Sequence, residues 1–551
     1  MSDAAGGEGR PRAGMAAGLG PKAPCNFVNP LLTDMYQVTM CYAYWKANKH
    51  NTEAVFELFF RKNPFSGEYV IFAGLSDVIS LLDHYKFTAE HIQYLRAQMP
   101  SASPEFFDYL SSLDCSQVKV QALKEGTVVF PREPLIRLEG PVGICQLLET
   151  SLLCIVNFAS LVATNAARMR QAAGPNKTLL EFGLRRAQGP DGGVSASRYC
   201  YIGGFDGTSN ALAGMLFGMK VGGTHAHSFV QSFSSIEDLK TRMISLPGGA
   251  EEVDFVDIVL RVRAKFGWEH TNTGELASFI CICQALPESF VALVDTYDTL
   301  VSGIPNFLIC AVAMFEIGYQ PIGIRLDSGD LAYLSLEARK MFEMVEKQCK
   351  VEGMAKALKI VASNDIGEDT LHSLNQQGHS IDTFGIGTHL VTCQNQPALG
   401  CVYKLVEFDK KPRIKLSQEI KKVSVPGKKV LYRLYGKAGY PLVDLMQLQD
   451  EEAPNPGERI MCRHPLDPTK RVVCVPAQVL RLHHVVWDGG PCLEMPSISE
   501  IRNVTIKELS ELRHDHVRRL NPTPYKVSLS ENLFKTMYEL WRKEAPILEL
   551  T

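Results

Sequence analysis

The sequence predicts an α/β protein centred on a (β/α) barrel, and three observations lead there. Short apolar runs recur from Thr178 onward, each followed by polar or glycine-rich residues and then a helical segment. Side chains suited to chemistry gather where the runs end, as they do at the C-terminal ends of parallel strands. Seven such units in series favour a barrel over an open sheet, and their irregular spacing makes it an imperfect one.

Ahead of the barrel, Met1 to Pro24 is rich in Gly, Ala and Pro and reads as a disordered tail. Thr33 or Asp34 caps a helix running to about Asn48, with Tyr36 in its first turn. Ala54 to Arg61 is strand-like, and helical periodicity covers about 75–95 and 105–113. Gln121 to Leu138 alternates between turn signals and suggests a small antiparallel unit. Cys145 to Arg170 reads as one long, mostly apolar helix.

The barrel runs are Thr178–Phe182, Met219–Val221, Val291–Val294, Pro321–Ile324, Lys359–Ala362, Ser380–Phe384 and Gly400–Val406. Beyond Phe408 the chain turns basic and strand-rich as far as Tyr435. Thr505-x-x-Glu508 has the form of a capping box for a helix ending near Leu520, and a last amphipathic helix covers about 530–543. The expected divisions are a tail at 1–24, an N-terminal α+β part at 25–150, the barrel at 151–407 and a C-terminal part at 408–551.

Composition is that of an ordinary globular chain: 551 residues, 46% apolar, 21% charged, net charge -3. No global basic field favours nucleic acid or a membrane surface, so an anionic ligand must meet locally concentrated charge. No segment is expected to span a bilayer, and Ser151 to Thr164 reads as a buried helix. The 15 cysteines contain no CxxC pair and read as free thiols of a reducing cytosol.

The strand ends carry the chemistry. Arg185-Arg186 follows the first run, and guanidinium suits bidentate binding of carboxylate or phosphate. Gln188 to Gly193 and Tyr201 to Asn210 are glycine-rich entries to helices, where free N–H groups receive anions. Phe384-Gly385-Ile386-Gly387-Thr388 has the form of a phosphate cradle at a late barrel strand. Asp295 and Asp298, Asp327 and Asp330, and Asp365 are oxygen ligands for Mg²⁺, hydroxyl acceptors or helix caps. Thr224-His225-Ala226-His227 presents two imidazoles, and HxH at a strand end is also a metal-ligand spacing of barrel hydrolases. That rival lacks support further on: the later strand tips offer Asp295, Arg325, Asn364 and Gly385, but no histidine.

Taken together, these residues resemble the nicotinate phosphoribosyltransferases. The motifs are Leu31-Leu32-Thr33-Asp34-x-Tyr36-Gln37, Phe60-Arg61-x-x-Pro64-Phe65-x-Gly67, Glu181-Phe182-Gly183-x-Arg185-Arg186, Gly203-Gly204-Phe205-Asp206, Ala226-His227-Ser228, Asp295-Thr296-Tyr297-Asp298, Arg325 to Asp330, Ser363-Asn364-Asp365 and Phe384 to Thr388, in the family's order. The resemblance covers about 26–424 and implies a type II phosphoribosyltransferase fold. That is an irregular α/β barrel plus an α+β domain built from both chain ends.

It also implies an activity: transfer of phosphoribose from phosphoribosyl pyrophosphate (PRPP) to nicotinate, coupled to ATP hydrolysis, with Mg²⁺ or Mn²⁺, in a cytosolic homodimer. By the same resemblance His227 is the phosphorylated histidine. Phe182 and Tyr36 stack on the pyridine ring, Tyr36 from the partner subunit. Arg185 lies beside ring and phosphates, Arg325 with Gly385, Gly387 and Thr388 holds the 5′-phosphate, and Asp327 holds the ribose hydroxyls. Asp295 serves Mg²⁺-pyrophosphate, Lys404 and Lys415 neutralise the leaving group, and Ser209 and Thr224 join the substrate-binding set. A nicotinamide transferase is the nearest alternative, but would carry an acidic residue about where Ser209 stands.

Overall fold

The computed structural model describes residues 27–249, 251–547 and 549, so the tail expected at 1–24 lies outside them. Six parallel strands form the central sheet, in the order 291–293, 323–326, 359–362, 383–386, 178–181, 207–208. They are short and mostly buried, as parallel strands covered by helices on their faces must be. At Gly323 a Cβ would stand 1.9 Å from the Lys359 carbonyl oxygen, so the approach of these two neighbours depends on glycine.

Two of the seven expected runs behave differently. Met219–Val221 forms no regular strand: Val221 makes one isolated parallel bridge to Thr208, and Gly222 and Gly223 follow. The intervening strand, Gly207–Thr208, is two residues long and too short to register as an apolar run. Gly400–Val406 is not a barrel strand at all. Cys401–Phe408 pairs antiparallel with Glu53–Phe60, in a second six-stranded sheet that also holds Ile136–Pro141, Lys119–Ala122 and His484–Asp488. Its side chains include Lys404 and Glu407 and, apart from Tyr403 and Val406, are only partly buried, which suits an antiparallel sheet and not the inside of a barrel.

The second sheet therefore unites residues from both ends of the chain. A third, which includes the neighbouring strands 429–435 and 441–448, packs beside it and is tied to it by a buried ion pair. Lys429 Nζ meets Glu57 Oε2 at 2.9 Å across the two sheets, while Arg433 meets Asp444 of its own sheet at 2.7 Å and Glu508 of the helix Ile498–Glu511 at 3.0 Å. Such charges are tolerated inside only because each is matched.

The helix Met35–Lys46 starts at Asp34 as expected, but the Asp34 carboxylate accepts from Thr150 instead of capping. The long apolar helix is Glu149–Ala173. It and Thr299–Glu316 are, contrary to expectation, long and apolar enough to cross a bilayer, but their apolar windows are 67% and 72% buried inside the protein. The C-terminal capping box is Ser497 with Glu500, opening the helix Ile498–Glu511. Thr505 and Glu508 lie inside that helix, Thr505 bonding the Gly126 carbonyl and Glu508 the Val128 N–H and Arg433. Among the described residues every cysteine is free.

Candidate active site

Strand register explains why residues far apart in sequence meet. Leu293 stands opposite Arg325, Leu326 opposite Ala362, Ala362 opposite Phe384, Ile386 opposite Glu181, and Glu181 opposite Thr208. One or two residues further on, Asp295, Asp327, Ser363, Gly387, Phe182 and Ser209 form one rim at the C-terminal end of the sheet.

Arg325 organises one side of the rim. Its Nε donates to Ser363 Oγ at 2.8 Å, one terminal nitrogen to Thr224 Oγ1 at 3.2 Å, and the other meets Asp327 Oδ1 at 3.1 Å. Ser363 Oγ closes the loop by donating to Asp327 Oδ1 at 2.5 Å. The guanidinium also lies 5.6 Å from the centre of the Phe182 ring, a cation–π distance. Gly385 supports that ring from below: a Cβ there would stand 2.4 Å from its carbons.

His227 opens the short helix His227–Gln231 and faces this assembly. Its Nδ1 is 3.0 Å from Thr296 Oγ1, and its Nε2 is 4.0 Å from Asp295 Oδ1 and 3.8 Å from Asp327 Oδ2. The Asp295 side chain is 2% exposed. Its Oδ2 accepts from the Asp327 N–H at 3.1 Å and Ser328 Oγ at 2.5 Å, while its Oδ1 is buried without a hydrogen-bond partner among the described residues. A buried carboxylate oxygen without a donor is a costly feature, and it suits a site that receives a cation or a donor from its ligand.

Not all the aspartates face the site. Asp298 and Asp330 cap the segments that follow them, accepting from Val301 and Tyr333 N–H groups. Asp365 pairs with His389 at 3.1 Å. Asn364 and Asp365 hold positive φ angles of 107° and 49°, a strained turn of the kind that collects at functional sites. His225 does not point with His227, and its Nε2 accepts from the Leu293 N–H at 3.3 Å. The HxH pair is thus not a chelating pair. Among the described residues no group of three or more His, Cys, Asp or Glu is arranged to hold a metal.

Comparison with known proteins decides the family. Models of the N-terminal and C-terminal domains of nicotinate phosphoribosyltransferase match residues 31–157 and 428–537. "Nicotinate phosphoribosyltransferase 2" of Arabidopsis thaliana is 53% identical over 543 residues, 96% of this chain and 97% of that one. The chain belongs to the nicotinate phosphoribosyltransferase family. The Homo sapiens member is 43% identical over 97% of this chain and all of its own. The crystal structure of human nicotinic acid phosphoribosyltransferase superposes with a TM-score of 0.83, covering 92% of this chain and 99% of that one.

Within a member of this family the remaining expected residues divide into two groups. Arg185 lies in the short turn Leu184–Arg186, exposed and without an ion pair among the described residues, and Ser209 is exposed on the same rim. Thr388 opens a one-turn helix after Gly387. Tyr36, Lys404 and Lys415 lie elsewhere, around the antiparallel sheet. Tyr36 is 51% exposed in the first turn of its helix. Burial lowers the Lys404 pKa; Glu149 opposes the shift, Arg61 and Lys415 add to it, and burial with Arg61 pulls Arg132 down to about 10. This second cluster gathers Arg61, Arg132, Lys404 and Lys415, with Glu149 and Glu419 as the carboxylates that oppose them. Among the described residues no hydrogen bond, ion pair or ring contact joins it to His227 and its neighbours.

Four further residues contribute to the site without a signal of their own in the sequence. Thr296 and Ser363 lie inside quoted motifs but carry no charge to attract notice, although they orient His227 and Arg325. Ser328 fixes Asp295. Glu181 is a buried carboxylate that ties the Gly183 N–H, Ser197 and Thr208 together beneath the Phe182–Arg185 turn.

Proposed function

We propose that this protein transfers the 5-phosphoribosyl group of PRPP to the ring nitrogen of nicotinate, forming nicotinate mononucleotide and pyrophosphate, and couples the transfer to ATP hydrolysis through His227. The observation that carries the reading is the placement of His227 between Thr296 and the carboxylates of Asp295 and Asp327, on the rim that holds Phe182 and Arg325. The family supports the base and the phosphoribosyl donor, since its members bear the name nicotinate phosphoribosyltransferase.

In the tautomer that donates Nδ1–H to Thr296, the lone pair of His227 is on Nε2. Nε2 attacks the γ-phosphorus of ATP, the N–P bond forms as the bond to the β-phosphate oxygen breaks, and ADP leaves. Water later cleaves the N–P bond and releases phosphate. The transfer step needs the Phe182 face for the pyridine ring, Arg185 beside it, and Asp327 for the ribose hydroxyls. Arg325, Thr224 and the Gly385–Thr388 segment hold phosphate oxygens. Developing negative charge on the leaving pyrophosphate is met by preorganised cations, Lys404 and Lys415 among them.

Asp295 fits the Mg²⁺ or Mn²⁺ of this chemistry, because its Oδ1 is a buried hard oxygen without a donor among the described residues. The metal would neutralise phosphate charge when bound. The lack of an all-protein cage among the described residues suits an ion that arrives on its phosphate ligand.

Because Tyr36, Lys404 and Lys415 do not meet the His227 rim within one chain, we propose a cytosolic homodimer in which the partner subunit supplies them. Nicotinamide is disfavoured as the base: Ser209 donates to the Glu181 carbonyl, and the Glu181 carboxylate is buried and already engaged. Incubation with PRPP, Mg²⁺ and either base, with and without ATP, tests the reading. Nicotinate mononucleotide whose yield rises with ATP supports it, and product from nicotinamide alone overturns it.

A further inference from the structure

Among the described residues the barrel does not close by backbone pairing. On one side its edge is the strand 291–293, and on the other the single bridge between Thr208 and Val221. The Val294 N–H bonds the Arg325 carbonyl, toward the neighbouring strand. The Leu293 N–H points the other way, into the open seam, where a closed barrel would offer a carbonyl. The acceptor found there is the Nε2 of His225, at 3.3 Å.

We infer that His225 is a positioning residue: its imidazole stands in for the missing strand contact and holds 291–293 so that Thr296 and Asp295 meet His227 in register. The inference rests on the reading of His227 as phosphoryl acceptor. One residue lies between the two histidines, and two lie between Leu293 and Thr296. The His225 hydrogen bond thus ties the loop that carries the acceptor to the strand that carries its orienting hydroxyl and the Asp295 carboxylate, beside the His227–Thr296 contact itself. The ring is itself held, against Phe229 and Phe279 at centroid distances of 5.4 and 6.2 Å. Burial, Arg325 and His227 push the His225 pKa down to about 4, so the ring stays neutral and keeps its acceptor near neutral pH.

The test compares three variants with the parent protein. His225→Gln keeps an acceptor oxygen at the reach of Nε2, His225→Asn places one short of it, and His225→Leu has none. Two quantities are read: hydrogen–deuterium exchange of the peptide containing Leu293, and kcat and KM of nicotinate mononucleotide formation with ATP. His225→Gln should keep both protection and kcat. His225→Asn and His225→Leu should lose protection and about tenfold in kcat, with KM for nicotinate little changed. The contrast between Gln and Asn remains informative if the Leu variant fails to fold. Equal behaviour of Gln and Asn, or lost protection with unchanged kcat, overturns the inference. Exchange does not depend on ATP, so a parent protein that forms no phosphohistidine defeats the His227 reading and leaves the seam contact to be judged by exchange and kcat.

Discussion

The Nδ1 of His227 lies 3.0 Å from Thr296 Oγ1, while its Nε2 faces Asp295 and Asp327 at 4.0 and 3.8 Å. One nitrogen is thereby oriented by a neutral hydroxyl and the other is left toward the site. This division of roles suits a nucleophilic imidazole, because the group that fixes the tautomer is not the group that meets the phosphate. Thr296→Val, which keeps the shape and removes the hydroxyl, should lower ATP-coupled turnover about tenfold. Transfer measured without ATP should change little. Equal losses with and without ATP would place Thr296 in general packing.

Gly385 and Phe182 make a prediction about the base. Gly385→Ala sets a methyl group 2.4 Å from ring carbons of Phe182, too close for the ring to stay where it is. Overpacking of this kind costs about 1–3 kcal/mol. If the Phe182 face receives the pyridine ring, KM for nicotinate should rise about tenfold or more, with KM for ATP little affected. Steady-state kinetics against each substrate distinguishes the two, and parallel rises in both KM values would contradict the assignment.

Much of this rim is legible in the sequence, and the exceptions share one cause. The parallel strands declare themselves because both faces are buried, so each is an apolar run that turns polar at its tip. Gly400–Val406 has the same local look, but its partner is Glu53–Phe60, and nothing in a local run names its partner. The two-residue strand at Gly207–Thr208 and the lone bridge at Val221 are held by their neighbours rather than by their own pattern. Thr505-x-x-Glu508 failed as a cap because Ser497 with Glu500 starts the helix earlier, and tertiary contacts with Gly126 and Arg433 use both side chains instead. Thr296, Ser363 and Glu181 escaped because their importance lies in what they touch, which a one-dimensional reading does not show.

A buried acid under the site predicts a pH dependence of stability. Glu275 accepts from Ser302 at 2.6 Å and Asn306 at 2.9 Å, and its other oxygen has no partner among the described residues. Burial raises its pKa from 4.5 to about 7; the two hydrogen bonds oppose the rise, and Asp295 and Asp298 add to it. The folded state therefore keeps a proton that the unfolded chain releases. The stabilisation is complete below pH 4.5 and is lost as pH rises to about 7, on the order of 3 kcal/mol in all. Glu275→Gln should flatten this slope and be the more stable protein above pH 7. Tm measured in steps from pH 5 to 8 checks it, and an unchanged slope would contradict it.

The separation of Tyr36 and Lys404 from the His227 rim predicts complementation. Tyr36→Ala and Arg185→Ala should each be nearly inactive as homodimers. Mixed heterodimers should regain activity, because one of the two shared sites then contains neither substitution, up to about half of the parent value per dimer. Verified heterodimers with no recovery would place all the site residues within one chain.

The most direct test of the account is the fate of the γ-phosphoryl group. Protein incubated briefly with Mg²⁺ and γ-labelled ATP should carry an acid-labile, base-stable label on the peptide containing His227. PRPP and nicotinate should discharge it, and His227→Ala should abolish both label and ATP-stimulated transfer. Label on another residue, or ATP-stimulated formation of nicotinate mononucleotide by His227→Ala at the parent rate, would contradict the account.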